Sequence, residues 1–347
     1  GEPFIKKTTV EFNPSSRRHI EFCLNKKYGW KPSKTTPQGH AIIDEVVLGS
    51  LNYPEAQKLS EMFLIQKRIG QLGEGSQAWM KKVDSDGKIR HRLLCPSTRT
   101  LRCTHVQPNL SQVPAVRLQY GRECRELFTV PNGYSLVGCD LSGIEIRLFA
   151  SFLAKYDGGA YATEVLNGDI HTANAKAFGG IERSTAKGAL YALLYGSGDL
   201  RLGQLVGKGA KEGKRLKENF MTAVPAYKTL KHKVEEASQK GYIRSLGKTK
   251  IKVNAPHTAL NSLLQSASAV LSSKWLILIN QQLKQQKLDA TVLGWIHDEV
   301  QVAVRKGQEE HVGNLLRRCA KEAGESYELN IPIDAEFSVG QSWAETH

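Results

Sequence analysis

The sequence predicts an α+β fold with many helices and a small number of strands. Two observations lead to this prediction. Apolar residues recur at helical spacing through most of 160–240 and 260–286. Short β-type runs stand at 136–140 and 291–304, and the second encloses an acidic pair as a hairpin would. Helices and hairpin strands in one chain are typical of the α+β class.

The elements of the first hundred residues are predicted from local pattern. A helix is expected from about Pro54 to Leu72, because apolar side chains recur there every three or four residues. A hairpin turn is expected at Asp86-Gly87, a dipeptide typical of tight turns. Residues 91–130 are irregular and contain many Arg and Pro residues.

The later elements follow in a clear order. The strand at 136–140, LVGCD, turns directly into a helix with the sequence IEIRLFASFLA. Residues 160–240 have helical periodicity, and one long helix is predicted over 260–286. A hairpin then occupies 291–304, and the tail at 308–347 is predicted as a helix followed by a short strand region.

The charge of the chain points to its partners. Among 347 residues, 48 are Lys or Arg and 34 are Asp or Glu, which gives a formal net charge of +14. A globular chain this basic usually binds a polyanion, and nucleic acid is the first candidate. The alternative is a basic protein whose charge serves only its solubility.

Cysteine spacing and apolar runs exclude several classes of protein. No two of the six cysteines have CxxC spacing, so free thiols in a reducing compartment are expected and a zinc site is not. No secretory signal opens the chain, and the longest apolar run, WLILI at 275–279, is too short to cross a bilayer. No membrane association is therefore expected. Residue 1 is Gly, so a processed product, an excised fragment or one piece of a larger protein is expected.

Three carboxylates stand directly after apolar strands. Asp140 follows SLVGC, and Asp298 with Glu299 follows VLGWI. Brought together, Asp140 and Asp298 would concentrate negative charge and bind a hard divalent cation such as Mg²⁺. Two such ions would suit a phosphoryl transfer, and the Leu141 carbonyl would add an oxygen. The alternative is that both aspartates only cap their own turns.

A row of side chains on one predicted helix suits a phosphate ligand. Arg183, Lys187 and Tyr191 are spaced by four residues, so they share one helix face. Arg and Lys at this spacing suit successive phosphates, and the Tyr suits a sugar or base. His171 is a further candidate phosphate contact. The alternative is a solvated basic face with Tyr191 buried in the core.

Several motifs, in order, resemble those of one enzyme family. The segments DLSGIEIR (140–147), RSTAKGALYALLYG (183–196) and HDE (297–299) resemble motifs A, B and C of family A DNA polymerases. The segments TLRCTHVQPNLSQVP (100–114) and LNSLLQSASA (260–269) resemble two further family segments. The likeness is greatest to polymerases of short-tailed phages that recruit host thioredoxin, and it extends over nearly the whole chain.

The resemblance implies a right-hand polymerase fold, with a palm that holds an antiparallel sheet, helical fingers and a partial helical thumb. The implied divisions are a partial thumb at 1–88, the first part of the palm at 89–152, the fingers at 153–258 and the second part of the palm at 259–347. The implied reaction is template-directed addition of dNTPs to a primer 3′-hydroxyl.

The resemblance also implies a role for each matching residue. Asp140, Asp298 and the Leu141 carbonyl would hold two Mg²⁺ ions, Glu299 would act as an outer-sphere acid, and His297 would position the primer terminus. The residues expected to bind the dNTP triphosphate are Arg183, Lys187 and His171. Those expected to contact its sugar or the template position are Tyr191, Glu145 (the gate against a 2′-hydroxyl, with its carboxylate near the Tyr191 hydroxyl) and Tyr195. Those expected to contact DNA are Arg102, Gln112, Asn261, Gln265, Lys67 and Arg68.

The chain departs from the family pattern in a few places. Leu101 stands where the family usually has Gly, and Gly143 stands where many members have Gln. Tyr191 stands where other members have Phe, which implies weak discrimination against dideoxynucleotides. Relatives carry a 3′–5′ exonuclease domain and half of the thumb upstream of this region, so a second polypeptide with those parts is expected. A thioredoxin-like processivity factor would bind only through it.

Two other functions remain open from the residues. A single-subunit RNA polymerase is disfavoured, because Glu145 would obstruct a ribose. A non-catalytic DNA-binding subunit would be expected to lack a metal carboxylate, whereas Asp140 and Asp298 are both present. The implied location is the cytoplasm of an infected bacterium.

Overall fold

The computed structural model describes residues 9–347, which divide into two compact units. The first unit is Gly1–Arg92 and the second is Leu93–His347. The predicted segment 1–88 begins within residues 1–8, which lie outside the described residues.

The first unit is helical and has its own core. Its helices are α1 (Arg17–Tyr28), α2 (Glu45–Gly49) and α3 (Pro54–Ile69). The predicted helix from Pro54 is confirmed as α3, although a π-helical turn replaces its last residues over Gly70–Glu74. The predicted hairpin turn is also confirmed, because Val83 and Ile89 pair across it. The buried core of the first unit consists of Ile20, Leu24, Trp30, Ala41, Ile43, Leu48 and Ala56.

Ten helices form most of the second unit as described. They are α4 (Gly121–Glu126), α5 (Ile144–Asp157), α6 (Ala160–Asn167), α7 (Ile170–Ala177), α8 (Arg183–Leu194), α9 (Asp199–Leu205), α10 (Ala210–Ala223), α11 (Pro225–Ser238), α12 (Ala259–Gln285) and α13 (Glu309–Glu325). The predicted helical region at 160–240 is therefore confirmed as α6 to α11, and the long helix as α12.

Eight strands are assigned within residues 9–347. They are β1 (Arg92–Leu94), β2 (Thr104–Val106), β3 (Tyr134–Leu141), β4 (Tyr242–Arg244), β5 (Lys250–Lys252), β6 (Ala290–Ile296), β7 (Glu299–Arg305) and β8 (Ala335–Gly340). The strands β6, β7, β3 and β8 form one four-stranded antiparallel sheet in that order. The predicted strand and hairpin are thus neighbours in a single sheet.

The two faces of this sheet differ in chemistry because side chains alternate along a strand. On β7, Val300, Val302 and Val304 are fully buried in the main core with residues of α12 and α13. Glu299 and Gln301 lie on the opposite face, where Asp140 pairs with Glu299 across the ladder. The apolar face therefore anchors the sheet, and the polar face carries the candidate site.

Helix α12 crosses the core of the second unit. The Trp275 side chain of this helix is fully buried, and its indole N–H donates to the Leu316 carbonyl oxygen of α13, with an N–O distance of 2.9 Å. The helix region Pro256–Gln285 is long and apolar enough to span a membrane by length and composition. More than half of its apolar window is buried inside the fold, which is how the core helix of a globular domain behaves.

The expectation of free thiols throughout is wrong for one pair. Cys95 and Cys103 form a disulfide between the ends of β1 and β2, with their Cα atoms 4.6 Å apart. The short sheet brings the two cysteines within the range that a disulfide requires. The cysteines described as free are Cys23, Cys124, Cys139 and Cys319.

Candidate active site

The three predicted carboxylates meet at one end of the four-stranded sheet. Asp140 is near the end of β3, Asp298 is in the tight turn between β6 and β7, and Glu299 begins β7. The Leu141 backbone N–H donates to the Asp298 carbonyl oxygen, with an N–O distance of 3.0 Å. His297 completes the turn with φ of 60°, a left-handed conformation that non-glycine residues rarely adopt. The predicted hairpin tip is therefore present.

The two aspartates lack enough compensation for their charge. Burial raises the pKa of Asp140 to about 7, and the negative charges of Asp298 and Glu299 act in the same direction. Burial also raises the pKa of Asp298. Each carboxylate is therefore costly to ionise in the protein alone, and a cation beside the pair would remove that cost.

The donor set fits Mg²⁺ better than it fits a closed protein cage. Within residues 9–347, no group of three or more His, Cys, Asp or Glu side chains is arranged to hold a metal ion. Mg²⁺ usually binds one or two carboxylates and takes its remaining oxygens from water and substrate phosphates. Asp140, Asp298 and the Leu141 carbonyl match that preference.

The predicted phosphate-binding row lies on one face of α8. Arg183 and Lys187 are exposed, and Tyr191 is half-buried one turn further on. Arg183 pairs with Asp169, with Nε–Oδ2 and Nη2–Oδ1 distances of 2.7 and 3.2 Å. Burial lowers the pKa of His171, and the charges of Lys187 and Arg183 add to the effect. Three candidate phosphate contacts are therefore neighbours.

The last residue of the row, Tyr191, lies near the carboxylate end of the sheet. Burial raises the pKa of Tyr191 to about 12, with smaller contributions from the negative charges of Glu145 and Asp298. These charges act on the phenol only because α8 and the hairpin tip lie close together. The structure thus brings the metal-ligand candidates and the phosphate-binding candidates to one region.

The hydrogen-bond partners of Glu145 are Tyr195 and Arg102. The Tyr195 hydroxyl donates to one carboxylate oxygen at 2.5 Å, and Arg102 donates to the other at 3.1 Å. Tyr191 and Tyr195 are one turn apart with ring centres separated by 6.1 Å. The predicted proximity of the Glu145 carboxylate and the Tyr191 hydroxyl stays a prediction, supported by the effect of the Glu145 charge on that phenol.

The candidate DNA contacts of the second unit are spread over four segments of the chain. Arg102 and His297 line one pocket together with Trp295 and His105. Asn261 and Gln265 are half-buried and one turn apart on α12. The remaining candidate, which is exposed at the end of a 3₁₀ turn, is Gln112.

The backbone conformation at Leu101 is one that favours glycine. Its φ is 64°, in the left-handed region where a side chain is strained and glycine is not. The turn it forms presents Arg102 to Glu145. The departure from the family pattern therefore leaves the turn in place at a local conformational cost.

The two DNA-contact candidates of the first unit are held by neighbouring side chains. Lys67 pairs with Glu45 at an N–O distance of 2.5 Å. Arg68 donates from Nη1 to the Gln71 side-chain oxygen at 2.6 Å. Both lie near the end of α3.

Sequence reasoning missed the partners that orient these groups. Asp169 caps α7 by accepting from the His171 and Thr172 backbone N–H groups, and it also binds Arg183. Trp343 and Gln301 donate to Glu299. Asp169 stands directly before a helical run, so its capping role could have been predicted from the sequence. No sequence pattern predicts that Trp343 and Gln301 donate to Glu299.

A family model now accounts for these motifs. The model described as DNA polymerase family A matches residues 2–345. The chain belongs to DNA polymerase family A. The resemblance to family A predicted from the motifs is thereby confirmed.

Two family A relatives come from bacteriophages. The DNA-directed DNA polymerase of Enterobacteria phage T3 is 37% identical over 386 aligned residues, which cover 100% of this chain and 54% of the relative. That of Escherichia phage T7 is 36% identical over the same shares. The predicted likeness to phage polymerases is confirmed, and the chain spans about half the length of these relatives.

A solved family A structure has the same fold. It is the POL domain of Pol1 from M. smegmatis in complex with DNA primer-template and dNTP, with a TM-score of 0.83 and 24% identity. The match covers 96% of this chain and 62% of that chain. The predicted α+β, right-hand polymerase fold class is confirmed.

Proposed function

We propose that this chain is the polymerase part of a DNA-directed DNA polymerase. It would add a dNTP to a primer 3′-hydroxyl under the direction of a template strand. The observation that carries the proposal is the position of the C-terminal end of α8 beside Glu145 and Asp298. The Tyr195 hydroxyl donates to Glu145 at 2.5 Å, and the charges of Glu145 and Asp298 act on the phenol of Tyr191, the last residue of the Arg183–Lys187–Tyr191 row.

The proposed reaction is a single displacement at phosphorus. The primer 3′-hydroxyl loses its proton to water as its oxygen forms a bond to the α-phosphorus of the dNTP. The bond between that phosphorus and the oxygen bridging to the β-phosphate breaks, and pyrophosphate leaves. Family A polymerases use divalent metal ions, and here two Mg²⁺ ions held by Asp140, Asp298 and the Leu141 carbonyl would neutralise charge on the phosphates. Arg183, Lys187 and His171 would bind the triphosphate and orient its leaving group.

The remaining roles belong to the same proposal. Glu145 would exclude a 2′-hydroxyl, Tyr191 would contact the deoxyribose, and Tyr195 would occupy the template position before the nucleotide binds. His297 would position the primer terminus. The proposed duplex contacts are Arg102, Gln112, Asn261 and Gln265 in the minor groove, and Lys67 and Arg68 on phosphates.

The division of the chain is also proposed. A partial thumb would occupy 1–88, the palm 89–152 and 259–347, and the fingers 153–258. The end of the first compact unit at Arg92 supports the first of these boundaries. A second polypeptide with an exonuclease and further thumb elements stays a prediction, as do a thioredoxin-like factor bound through it and a location in the infected bacterial cytoplasm.

Primer extension tests the proposal directly. The chain is incubated with a primed template, dNTPs and Mg²⁺ beside the variants Asp298→Asn and Asp289→Asn. Asp289 is a matched control, because its carboxylate is also hydrogen-bonded, to Tyr134 at 2.9 Å, but lies at the far end of β6.

Extension by the wild-type chain and by Asp289→Asn, with none by Asp298→Asn, is the expected result. Extension by the wild-type chain and both variants would overturn the metal-ligand assignment. If the wild-type chain is folded and binds the duplex but does not extend the primer, the proposal that this chain is active alone would be overturned. The predicted second polypeptide would then be sought by complementation.

A further inference from the structure

A short segment after β8 covers the polar face of the central sheet. We call Ser342–His347 the 342–347 strap. Ser342 pairs with Thr129, and the Trp343 N–H donates to the Phe128 carbonyl oxygen at 2.9 Å. The strap approaches β3 so closely that a Cβ at Gly138 would lie 2.5 Å from the Thr346 carbonyl oxygen. A glycine is therefore required where the strap crosses the sheet.

The strap makes direct contacts with Glu299. The Trp343 indole donates from Nε1 to Glu299 Oε1 at 2.6 Å. His347 Nδ1 lies 2.9 Å from the other oxygen, Oε2. Gln301 adds a third contact, because its side-chain amide donates to Oε1 at 2.6 Å. Both oxygens of the carboxylate are thus occupied from the side of the strap.

Thr346 sets the direction of this hydrogen-bond chain. Its hydroxyl donates to the Gln301 side-chain oxygen at 2.8 Å. Because the amide oxygen accepts from Thr346, the amide nitrogen turns toward Glu299. The chain from Thr346 through Gln301 to Glu299 lies in residues that are only 4 to 5% exposed.

The Trp343 ring is itself fixed by its neighbours. The Arg125 guanidinium lies 4.3 Å from the ring centre, and the Phe128 ring meets it edge-on at 5.6 Å. Arg125 is in turn held by a bond from its Nε to the Pro114 carbonyl oxygen at 2.9 Å. A donor held this firmly restricts the carboxylate to one orientation.

We propose that Trp343 and Thr346 are positioning residues for nucleotide addition, acting by holding Glu299 in one orientation beside Asp298. The inference rests on the proposed function and on the role that the family resemblance implies for Glu299, an outer-sphere acid at the site of nucleotide addition. It extends the reacting site to a segment that lies after β8, outside the motifs that carry the aspartates and the phosphate-binding row. A purely structural strap would instead stabilise the fold and leave the rate of chemistry unchanged.

Two conservative substitutions separate these roles. Trp343→Phe removes the indole donor and keeps an aromatic ring beside Arg125, and Thr346→Val removes only the hydroxyl. Trp275→Phe is the matched control, because it loses an equally buried indole donor that binds the Leu316 carbonyl oxygen within the core. Thr346→Ser restores the hydroxyl and tests for rescue.

Single-turnover extension measures the maximal rate and the dNTP concentration dependence separately. Trp343→Phe and Thr346→Val should lower the maximal rate by roughly 10- to 100-fold, the usual loss when a supporting hydrogen-bond partner is removed. Apparent dNTP and duplex affinities should stay within about twofold of wild type, because neither residue contacts a substrate. Thr346→Ser should recover most of the rate, and Trp275→Phe should lose stability but not rate.

A double-mutant cycle with Glu299→Gln completes the test. If Trp343 acts through Glu299, Trp343→Phe should cost little further rate once Glu299 has been replaced. Additive losses, or equal behaviour of Trp343→Phe and Trp275→Phe, would overturn the positioning role and leave the proposed function intact. No extension by the wild-type chain would overturn both.

Discussion

Asp298 and Glu299 are consecutive residues, yet the protein treats their charges in opposite ways. Burial raises the pKa of Asp298, as it does for Asp140 across the sheet. Burial alone would also raise the pKa of Glu299, but the contacts with His347, Gln301 and Trp343 outweigh it and hold that pKa below its ordinary value. The protein thus leaves the negative charges of Asp140 and Asp298 without sufficient hydrogen-bond donors or cations. Under the 342–347 strap, by contrast, hydrogen-bond donors compensate the charge of Glu299.

The difference separates two uses of a buried carboxylate. Charge that the protein does not compensate is available to a ligand, and it costs stability until that ligand binds. Charge that the protein compensates contributes to the fold and to the orientation of the group. Substitutions at the two kinds of carboxylate should therefore have opposite effects on stability.

The largest effect is expected at the uncompensated end. Asp298→Asn should slow nucleotide addition by at least roughly 10²-fold, because it removes a charged group placed where transition-state charge develops. The same variant should raise the melting temperature without divalent ions, because it removes one of two close, half-buried carboxylate charges. Primer extension and thermal unfolding measure the two outcomes. A variant that both extends primers and melts lower would contradict the comparison.

A loss of stability, and not a gain, is expected when the carboxylate under the strap is replaced. Glu299→Ala should lower the free energy of unfolding by roughly 1 to 3 kcal/mol, because it leaves the buried Trp343 and Gln301 donors without an acceptor. Urea unfolding measures this change. Glu345→Ala is the control within the same strap, since its carboxylate is exposed and accepts only the Gln341 N–H in the structure described. A gain in stability on replacing Glu299 would show that its charge is not compensated.

The effect expected at Asp140 depends on pH. Its pKa rises from 3.8 to about 7 on folding, so the folded state holds the proton more tightly than the unfolded state. The protonated form stabilises the fold below the unfolded pKa, and this contribution is lost as the pH rises toward 7. The stability gained by Asp140→Asn should therefore grow between about pH 4 and 7 and then level off. Melting curves without divalent ions measure it, and a gain independent of pH would exclude the titration.

Glu145 is the intermediate case, because Arg102 and Tyr195 donate to its two oxygens while the Arg102 side chain remains partly exposed. Glu145→Ala should lower the free energy of unfolding by roughly 1 kcal/mol, because its partly exposed donors can bind water instead. It should also increase ribonucleotide incorporation, since the proposed gate is removed. The ratio of dNTP to rNTP incorporation checks the second result, and an unchanged ratio would remove the gate from the proposal.

Much of the fold could be predicted because its signals are local. The run LVGCD, the hairpin around Asp298 and the long apolar helix each carry a pattern that one element explains. The disulfide between Cys95 and Cys103 could not be predicted, because it depends on the short sheet that brings the two ends together. The π-helical end of α3 leaves no periodic signal either.

The site followed the same division between local and distant information. Asp140, Asp298 and the α8 row stand in motifs that can be read within a few residues. The partner of Glu145 depends on which tyrosine ring reaches across 50 residues of sequence, and the donors to Glu299 include one that is 44 residues away. Such pairings are decided by packing of the complete domain, which no single segment encodes.

Gly138 shows what this distant packing demands of an inconspicuous position. A Cβ there would also lie 2.5 Å from the Gln301 amide nitrogen and 2.7 Å from the Thr346 Cβ. In a saturation mutagenesis screen scored by growth or DNA synthesis, Gly138 should therefore be as intolerant as the aspartates, although it touches no substrate. Loss of activity on substitution of Gly138 would arise from displacement of the 342–347 strap, and it would not show that Gly138 contacts a substrate.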